Sequence, residues 1–472
     1  MERIFSTLAL VISAIALTMV LTVTSQHEHT EPESAAPTTD TPTPASEPSA
    51  VPVENLASDT GQQIDSTNAA PTTLQAPRTP APVIDALSTG IDASAPDGNW
   101  EKPALLEQRV DPAYGTPVTR LTSAAGTRFD RNTYSRRNPE NVDGSLFFTY
   151  HGDATYNVYG VADGDLVTVT EIHPDGEPQW HPSDPNRLRF LAGDDASSGE
   201  LVLYETDVRT GLVTAIADLS EPLTAQYDDA LYLSDRAEGT PSQDGNRYAW
   251  LVYDDEEDPI AVVTYDLSNN SLGGVLDISE TPGGRTDWVS VSPTGENVVL
   301  SGESGVFAYD FNLTNSRQLH DKAEHSDIAL SASGDDVYVH VDFSADSPTA
   351  GWVVARNLQT GQTTRFFDLY DNANTSIHFS GKAYDAPGWV VASTYNCKED
   401  FAWSCEKVFA FNIDTGEIVN LAHTYNCGEE YWSETHAATN RDLSRVYFNS
   451  DGGSCGIDAE VYRLDVPDLP SS

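Results

Sequence analysis

The sequence predicts an all-β fold, a seven-bladed β-propeller closed by an N-terminal strand that completes the last blade. Short alternating strands separated by Gly, Asp, Asn and Pro turns fill the chain from about residue 100 onward, without a long helical period. One unit, a polar loop followed by a strand, a tight turn and a second strand, recurs seven times along this stretch. The last unit lacks its outermost strand, and a spare strand stands ahead of the first. Together these observations predict a closed ring of repeated sheets.

A tight turn marks each of the seven units. Consecutive turns are about 50 residues apart, a spacing typical of propellers rather than of solenoids or sandwiches. The turns are Asp143-Gly144, Pro185-Asn186, Asp244-Gly245, Thr294-Gly295, Ser333-Gly334, Pro387-Gly388 and Asp442-Leu443.

The two ends of the repeat region complement each other. The last unit ends with the strand EVYRLDV at 460–466, whereas YGTPVTRLT at 114–122 supplies a turn and a strand before the first unit. We expect the early strand to pair with the late one, which removes the open sheet edge that an incomplete blade would leave.

The chain divides into three parts. Residues 1–25 predict a signal peptide, because one early Arg precedes an apolar run and small residues follow it at 23–25. The run spans about 20 residues, so an uncleaved membrane anchor is the alternative. Residues 26–99, rich in Pro, Thr, Ser, Ala and Glu, predict a disordered linker, and 100–472 form the propeller. Both N-terminal interpretations predict export, with the protein periplasmic, on the cell surface or secreted.

The four cysteines fit an oxidising compartment. Cys397 and Cys405 flank a short excursion between two strands, and Cys427 and Cys455 bracket the start of the last unit. We expect two disulfides with this nearest-neighbour pairing, although four cysteines allow three connectivities. A metal cluster is disfavoured because the sequence has no CxxC spacing.

The net charge of the chain limits the classes of partner that it can bind. Among 472 residues, 73 acidic against 25 basic ones give a net charge of −48. Such a surface repels nucleic acid and anionic lipid, so neither is an expected partner. Contact with a membrane is expected only through an uncleaved anchor, and the protein is expected to be a monomer.

Polar side chains just ahead of the innermost strands are expected to meet at one mouth of the central channel. Each unit contributes an Arg or a His there. This would concentrate positive charge at the mouth of an otherwise acidic protein and suit an anionic ligand. These residues are Arg136 and Arg137, Gln179 and His181, Arg236 and Glu238, Arg285 and Asp287, His325 and Asp327, His378 and Ser380, and Glu434 and His436.

Three of these histidines predict a metal site. His325, His378 and His436 stand on consecutive units at similar offsets from their strands, and imidazole is a common ligand of divalent metals. The alternative is that each His bonds to Ser and Asp within its own unit as a structural tie. The arginines likewise have an alternative, pairing with neighbouring acids.

The sequence lacks the motifs of several other catalytic and nucleotide-binding sites. The sequence contains no G-x-S-x-G elbow, H-E-x-x-H pair, P-loop or dinucleotide fingerprint.

The repeat SPTGENVVLSG at 292–302 resembles the Ser-Pro-Asp-Gly unit of TolB-like β-propellers. With seven blades and a ring of His and Arg, the chain is similar to the β-propeller polysaccharide lyases of the oligogalacturonate and ulvan type. That resemblance implies β-elimination on a uronic-acid polysaccharide or oligosaccharide, with one divalent metal ion such as Mn, Ca or Zn.

Residue roles follow from this implied mechanism. His325, His378 and His436 would bind the metal, Arg236 would neutralise the uronate carboxylate, and His181 would remove the proton. Tyr232 or His151 would supply the acid. Substrate-binding residues would be Arg136, Arg137, Arg285 and Gln179. A hypothesis of a different class is a non-catalytic exported propeller that binds a protein or glycan.

Overall fold

The computed structural model describes residues 87–193, 199–282, 286–322, 325–369, 375–396, 403–426, 433–455 and 458–469. All of them belong to one compact unit, Thr72–Ser472. The predicted signal peptide and the linker up to residue 86 lie outside the described residues, so the predictions for them stay predictions. No helix among the described residues is long and apolar enough to cross a membrane.

The described chain is built almost entirely of strands, which confirms the predicted all-β class. Five sheets have four strands each. They consist of β7 (Gln179–Trp180), β8 (Arg187–Leu191), β9 (Val202–Asp207) and β10 (Val213–Asp218); β11 (Tyr232–Ser234), β12 (Arg247–Tyr253), β13 (Pro259–Asp266) and β14 (Ser271–Asp277); β15 (Thr286–Val291), β16 (Asn297–Gly302), β17 (Gly305–Asp310) and β18 (Arg317–His320); β19 (Ser326–Leu330), β20 (Asp336–Val341), β21 (Trp352–Asn357) and β22 (Thr363–Asp368); β23 (Ser376–Ser380), β24 (Trp389–Tyr395), β25 (Lys407–Asn412) and β26 (Ile418–His423).

A sixth, nine-stranded sheet combines both ends of the described chain. Its strands are β1 (Gln108–Val110), β2 (Pro117–Arg120), β3 (Phe129–Arg131), β4 (Leu146–His151), β5 (Thr155–Gly160), β6 (Leu166–Val169), β27 (Ala438–Thr439), β28 (Arg445–Ser450) and β29 (Ala459–Asp465). The described helices are α1 (Ser220–Thr224) and a 3-10 helix at Ile278–Glu280.

The N-terminal strand β2 pairs antiparallel with the C-terminal strand β29, with Val118 opposite Leu464. This is the pairing that the sequence predicts. β29 also pairs in parallel with β3, over Ala459 with Phe129 and Glu460 with Asp130, and this short link merges two groups of strands into the nine-stranded sheet.

Ordered structure begins before residue 100. Thr89 forms a β-bridge with Val419, and the backbone N–H of Gly90 donates to the carbonyl of Ile418 at 2.8 Å. The last part of the segment predicted as a disordered linker therefore lies along the edge strand β26.

Glycine is required at some of the predicted turns. Gly245 has φ +64 and Gly295 has φ +79, in the left-handed region that other residues rarely adopt. Both also lie under a neighbouring side chain, since a Cβ on Gly245 would meet Pro182 at 2.8 Å and one on Gly295 would meet Arg247 at 2.8 Å.

The core lies between successive sheets. One cluster joins residues of β8 and β9 to residues of β12 and β13, and includes Leu191, Trp250 and Val263. Innermost strands of neighbouring sheets also contact one another, as β19 and β23 do, and β23 and β27. Residues at the start of these strands are thereby brought together.

Candidate metal-binding and catalytic site

The three histidines of the predicted metal site form one cluster. His325 directly precedes β19, His378 lies in β23, and His436 stands two residues before β27. The ring centroid of His378 lies 4.6 Å from that of His325 and 4.4 Å from that of His436. Adjacent innermost strands therefore bring together side chains that are more than 50 residues apart in the sequence.

Glu434 completes this cluster. Its Oε2 atom lies 3.3 Å from Nε2 of His436 and 3.6 Å from Nε2 of His378. Ligand atoms of His378, Glu434 and His436 all lie within 4.8 Å of one another, as a shared metal ion requires. The sequence analysis placed Glu434 beside His436 at the channel mouth but did not select it as a metal ligand. Its position two residues before His436 is the signal that could have identified it as a ligand.

Burial sets the protonation of the cluster. It holds the pKa values of His378 and His436 well below the usual range, and with the charge of Arg136 it lowers the pKa of His325 to about 4. Burial also raises the pKa of Glu434 to about 8. Neutral imidazoles are the form that binds metals, and a metal would favour the ionised carboxylate.

The cluster fits a divalent metal ion. His378 is 1% exposed, and within the described part of the chain neither of its ring nitrogens makes a hydrogen bond. Buried polar atoms normally have partners, and a metal would supply one. Two imidazoles and a carboxylate suit Zn or Mn.

Two tyrosines missed by the sequence analysis enclose the histidines. The Tyr395 ring stacks on His378 at 4.8 Å, and its hydroxyl lies 3.4 Å from Nε2 of His325. Tyr134 lies 4.9 Å from His436 and 5.5 Å from His378 between ring centroids. Tyr395 stands at the end of the second strand β24, where no sequence signal distinguishes it from a packing residue.

Arginines approach the cluster from the first strands of the chain. Arg136 lies with its guanidinium carbon 4.1 Å from the Trp288 ring centroid, and its Nη1 atom is 2.9 Å from Oε2 of Glu238. Burial raises the pKa of Glu434, and the charge of Arg131, which the sequence analysis did not select, opposes this rise. Cationic groups therefore stand beside the candidate ligands.

The other predicted substrate-binding arginines occupy different positions. Arg137 is 2% exposed and bonds to protein groups, including Asp235 Oδ1 at 2.7 Å and the carbonyl of Ala237 at 3.0 Å. It holds a loop and does not face a ligand. Arg285 lies outside the described residues, so its role stays a prediction.

Arg236 and Glu238 lie close to this site. Arg236 is half-buried with φ +65, and its charge lowers the pKa of Glu238. Burial outweighs this and raises the pKa of Glu238 to about 7. The proposed carboxylate-neutralising role of Arg236 is compatible with this location.

His181 and Gln179 lie toward the opposite end of the channel from the histidine cluster. His325 precedes an innermost strand, and the adjoining Ser326 pairs with His340 near the end of β20. His181 instead follows an innermost strand, and the adjoining Trp180 pairs with Leu188 near the start of β8. Because the innermost strands of a propeller run in the same direction through the channel, these positions lie at opposite ends.

His181 has a local structural function at its own end. Its Nδ1 accepts backbone N–H groups of Ser183 at 3.1 Å and Asp184 at 2.9 Å, which fixes the turn. Burial, with the charge of Arg189, lowers its pKa. Gln179 donates to the carbonyl of Gly239 at 3.0 Å. Both side chains line a cavity that Arg136 also lines.

The two predicted acids, Tyr232 and His151, make local contacts. Tyr232 is 3% exposed and stacks on Tyr253 at 4.8 Å within the hydrophobic core. His151 ends β4, where its Nδ1 lies 2.7 Å from Oδ1 of Asp153.

The predicted disulfides stay predictions. Cys397 and Cys427 lie outside the described residues, and no cysteine among the described ones is a free thiol.

The fold has counterparts among solved structures. No protein-family model matches the chain, and no curated protein matches its sequence. An oligogalacturonate lyase from Vibrio parahaemolyticus aligns with a TM-score of 0.53 and 14% identity, covering 77% of this chain and 97% of that one. An oligogalacturonate lyase in complex with manganese aligns with the same TM-score and identity over 78% and 97% of the two chains. This likeness is one of fold: the chain is similar in architecture to propeller lyases.

Proposed function

We propose that this protein is a polysaccharide lyase that cleaves a uronic-acid-containing chain by β-elimination, with a divalent metal held by His378, Glu434 and His436. The observation that carries the proposal is the buried cluster of two imidazoles and a carboxylate, next to His325 and Arg136. The manganese bound by one structural neighbour lends support to a metal in this fold.

The chemistry requires that negative charge on the substrate be neutralised. The C5 proton of a uronate is weakly acidic, and a bound divalent ion would act as a Lewis acid on the adjacent carboxylate. Arg136 and Arg236 are the arginines best located to hold that carboxylate, because both lie around Glu238 at the cluster. Positioned cations stabilise the charge that develops in the transition state.

His325 is the preferred base in place of His181. It adjoins the candidate ligands without belonging to the closest set of ligand atoms, and it is neutral at pH 7. In the proposed step its imidazole takes the C5 proton, the C4–O4 bond breaks, and a C4–C5 double bond forms. The Tyr395 hydroxyl gives its proton to O4, and the proton on His325 returns to Tyr395 across their 3.4 Å contact.

We propose in addition that the sheets form a seven-bladed ring and that the chain is exported. The nine-stranded sheet divides naturally at the two-residue link between β29 and β3, which gives seven groups of four or five strands. The export proposal rests on the apolar run at 4–23 and the net charge of −48.

The test is an ultraviolet assay for unsaturated uronate on pectic, alginate, glucuronan and ulvan substrates with added Mn²⁺, Ca²⁺ or Zn²⁺. We expect absorbance to rise with at least one substrate and to be abolished by a chelator. No rise with any of them would contradict the proposal and favour a propeller that binds a protein or glycan without catalysis.

A further inference from the structure

Glu238 is presented to the channel by a backbone loop in an uncommon conformation. The two residues before it, Arg236 and Ala237, have φ values of +65 and +61. Consecutive non-glycine residues in the left-handed region are costly and persist only where surrounding contacts impose them. The position of Glu238 is therefore enforced by the structure around it.

Two buried side chains impose this loop. The carboxylate of Glu177 accepts hydrogen bonds from Ser234 Oγ at 2.8 Å, Asp235 N at 2.9 Å and Ala237 N at 2.8 Å. Arg137 holds the same loop from the other side through Asp235 and Ala237. Since these bonds fix the backbone on both sides of Arg236, they also fix the position from which the Glu238 side chain extends.

The charged partner of Glu238 is Arg136, and Glu238 also bonds to the side chain of Tyr134. The Arg136 side chain is 3% exposed and lies over the Trp288 ring, whereas the Glu238 side chain is 25% exposed. Glu238 is thus the member of the pair that solvent reaches, and a carboxylate arriving from its side must displace it to bind Arg136.

Two effects oppose the ionised form of Glu238 beside Arg136. Burial raises the pKa of Glu238, and the charge of Asp287 adds to this effect against the opposing charge of Arg136. A buried carboxylate that loses its partner is destabilised, so Glu238, whose side chain is 25% exposed, would have to turn to solvent or take up a proton when a ligand displaces it.

We propose that Glu238 holds the place on Arg136 that a uronate carboxylate takes when substrate binds, and so limits the affinity of the site for acidic sugars. This inference rests on the proposed function for the identity of the ligand. It makes Glu238 a specificity-determining residue: a neutral sugar cannot replace it on the guanidinium, whereas a uronate can.

The test compares Glu238→Gln with the parent protein in calorimetric binding of galacturonate and glucuronate, with galactose as the neutral probe. These monosaccharides have no glycosidic bond to cleave, so binding is measured without catalysis. Glu205→Gln is the matched control, because Glu205 is also buried and paired with arginines, Arg187 and Arg189, but on the third strand of its sheet, β9.

We expect Glu238→Gln to tighten binding of at least one uronate by about 10- to 100-fold, the effect of replacing a competing carboxylate by a neutral amide. Galactose binding and the control should not change. The inference is overturned if Glu238→Gln, folded by circular dichroism, binds both uronates no more tightly than the parent or shows no binding. It is also overturned if Glu205→Gln tightens binding equally.

This test and the lyase assay fail independently. If the protein eliminates uronate but Glu238→Gln does not bind uronate more tightly, only the proposed role of Glu238 is refuted. Tighter uronate binding without elimination on any substrate would keep the carboxylate site and remove the proposed lyase activity.

Discussion

Oε2 of Glu434 lies within 3.6 Å of Nε2 of both His378 and His436, so one carboxylate oxygen joins two imidazoles from neighbouring sheets. Each imidazole is buried and neutral, and the carboxylate is 13% exposed. Two neutral imidazoles and a carboxylate can share one divalent cation, which makes a metal ion the simplest common partner of all three.

Metal binding is the first prediction. We expect about one divalent ion per chain after dialysis against Mn²⁺ or Zn²⁺, measured by elemental analysis. At a free metal concentration of 100 times Kd, the free energy of unfolding should rise by about 2.7 kcal/mol. His378→Ala should lose both effects, and His151→Ala, which removes a histidine from a surface pair with Asp153, should keep them. Retention of stoichiometric metal by His378→Ala would refute the site.

The identity of the base is the second prediction. His325→Gln should lower kcat by about 10²- to 10⁴-fold, the usual contribution of a general base. His181→Gln should keep kcat within a few-fold, because His181 fixes a turn toward the other end of the channel. Steady-state kinetics of both variants test this prediction. A larger loss of kcat in His181→Gln than in His325→Gln would identify His181 as the base.

A buried ion pair inside the channel gives the third prediction. Nζ of Lys382 lies 2.8 Å from Oδ1 of Asp327, and both side chains are 3% exposed. Lys382→Met should lower the free energy of unfolding by about 3–5 kcal/mol, because it leaves the aspartate buried and unpaired. The double variant with Asp327→Asn should recover part of the loss. Urea denaturation of the three proteins measures the coupling, and strictly additive losses would contradict it.

The fourth prediction concerns stability at alkaline pH. Lys407 is fully buried, its Nζ donates to the carbonyl of Asp92, and burial lowers its pKa from 10.5 to about 8. The unfolded chain therefore binds this proton more tightly, and the contribution of Lys407 to stability increases as pH rises from about 8 toward 10.5.

Comparison with Lys407→Met isolates this effect, because methionine keeps an aliphatic chain without a proton to lose. Between pH 7.5 and 9.5 the parent should gain about 1–2 kcal/mol relative to the variant. Urea midpoints at several pH values measure the difference. A parent that loses stability relative to Lys407→Met over this range would contradict the prediction.

The sequence by itself determined the repeat, the all-β class and the pairing of the chain ends. Turn residues such as Gly245 act locally, since a left-handed backbone favours glycine, and alternating strands need one apolar face. Offsets from the strands also selected His325, His378 and His436, whose rings do meet. The turns and strands depend on residues close in the chain, and the repeat predicts which distant strands correspond.

Tertiary structure decided which polar residues share a site. His181 and His325 belong to the same repeat pattern, but one follows its innermost strand and the other precedes it, so the channel separates them. Arg137 and Arg136 are adjacent, yet one is bonded to a loop and the other reaches Trp288 and Glu238. Tyr395 joins the site from a second strand. Side-chain direction and burial settle such choices, because they depend on contacts between sheets that no local pattern encodes.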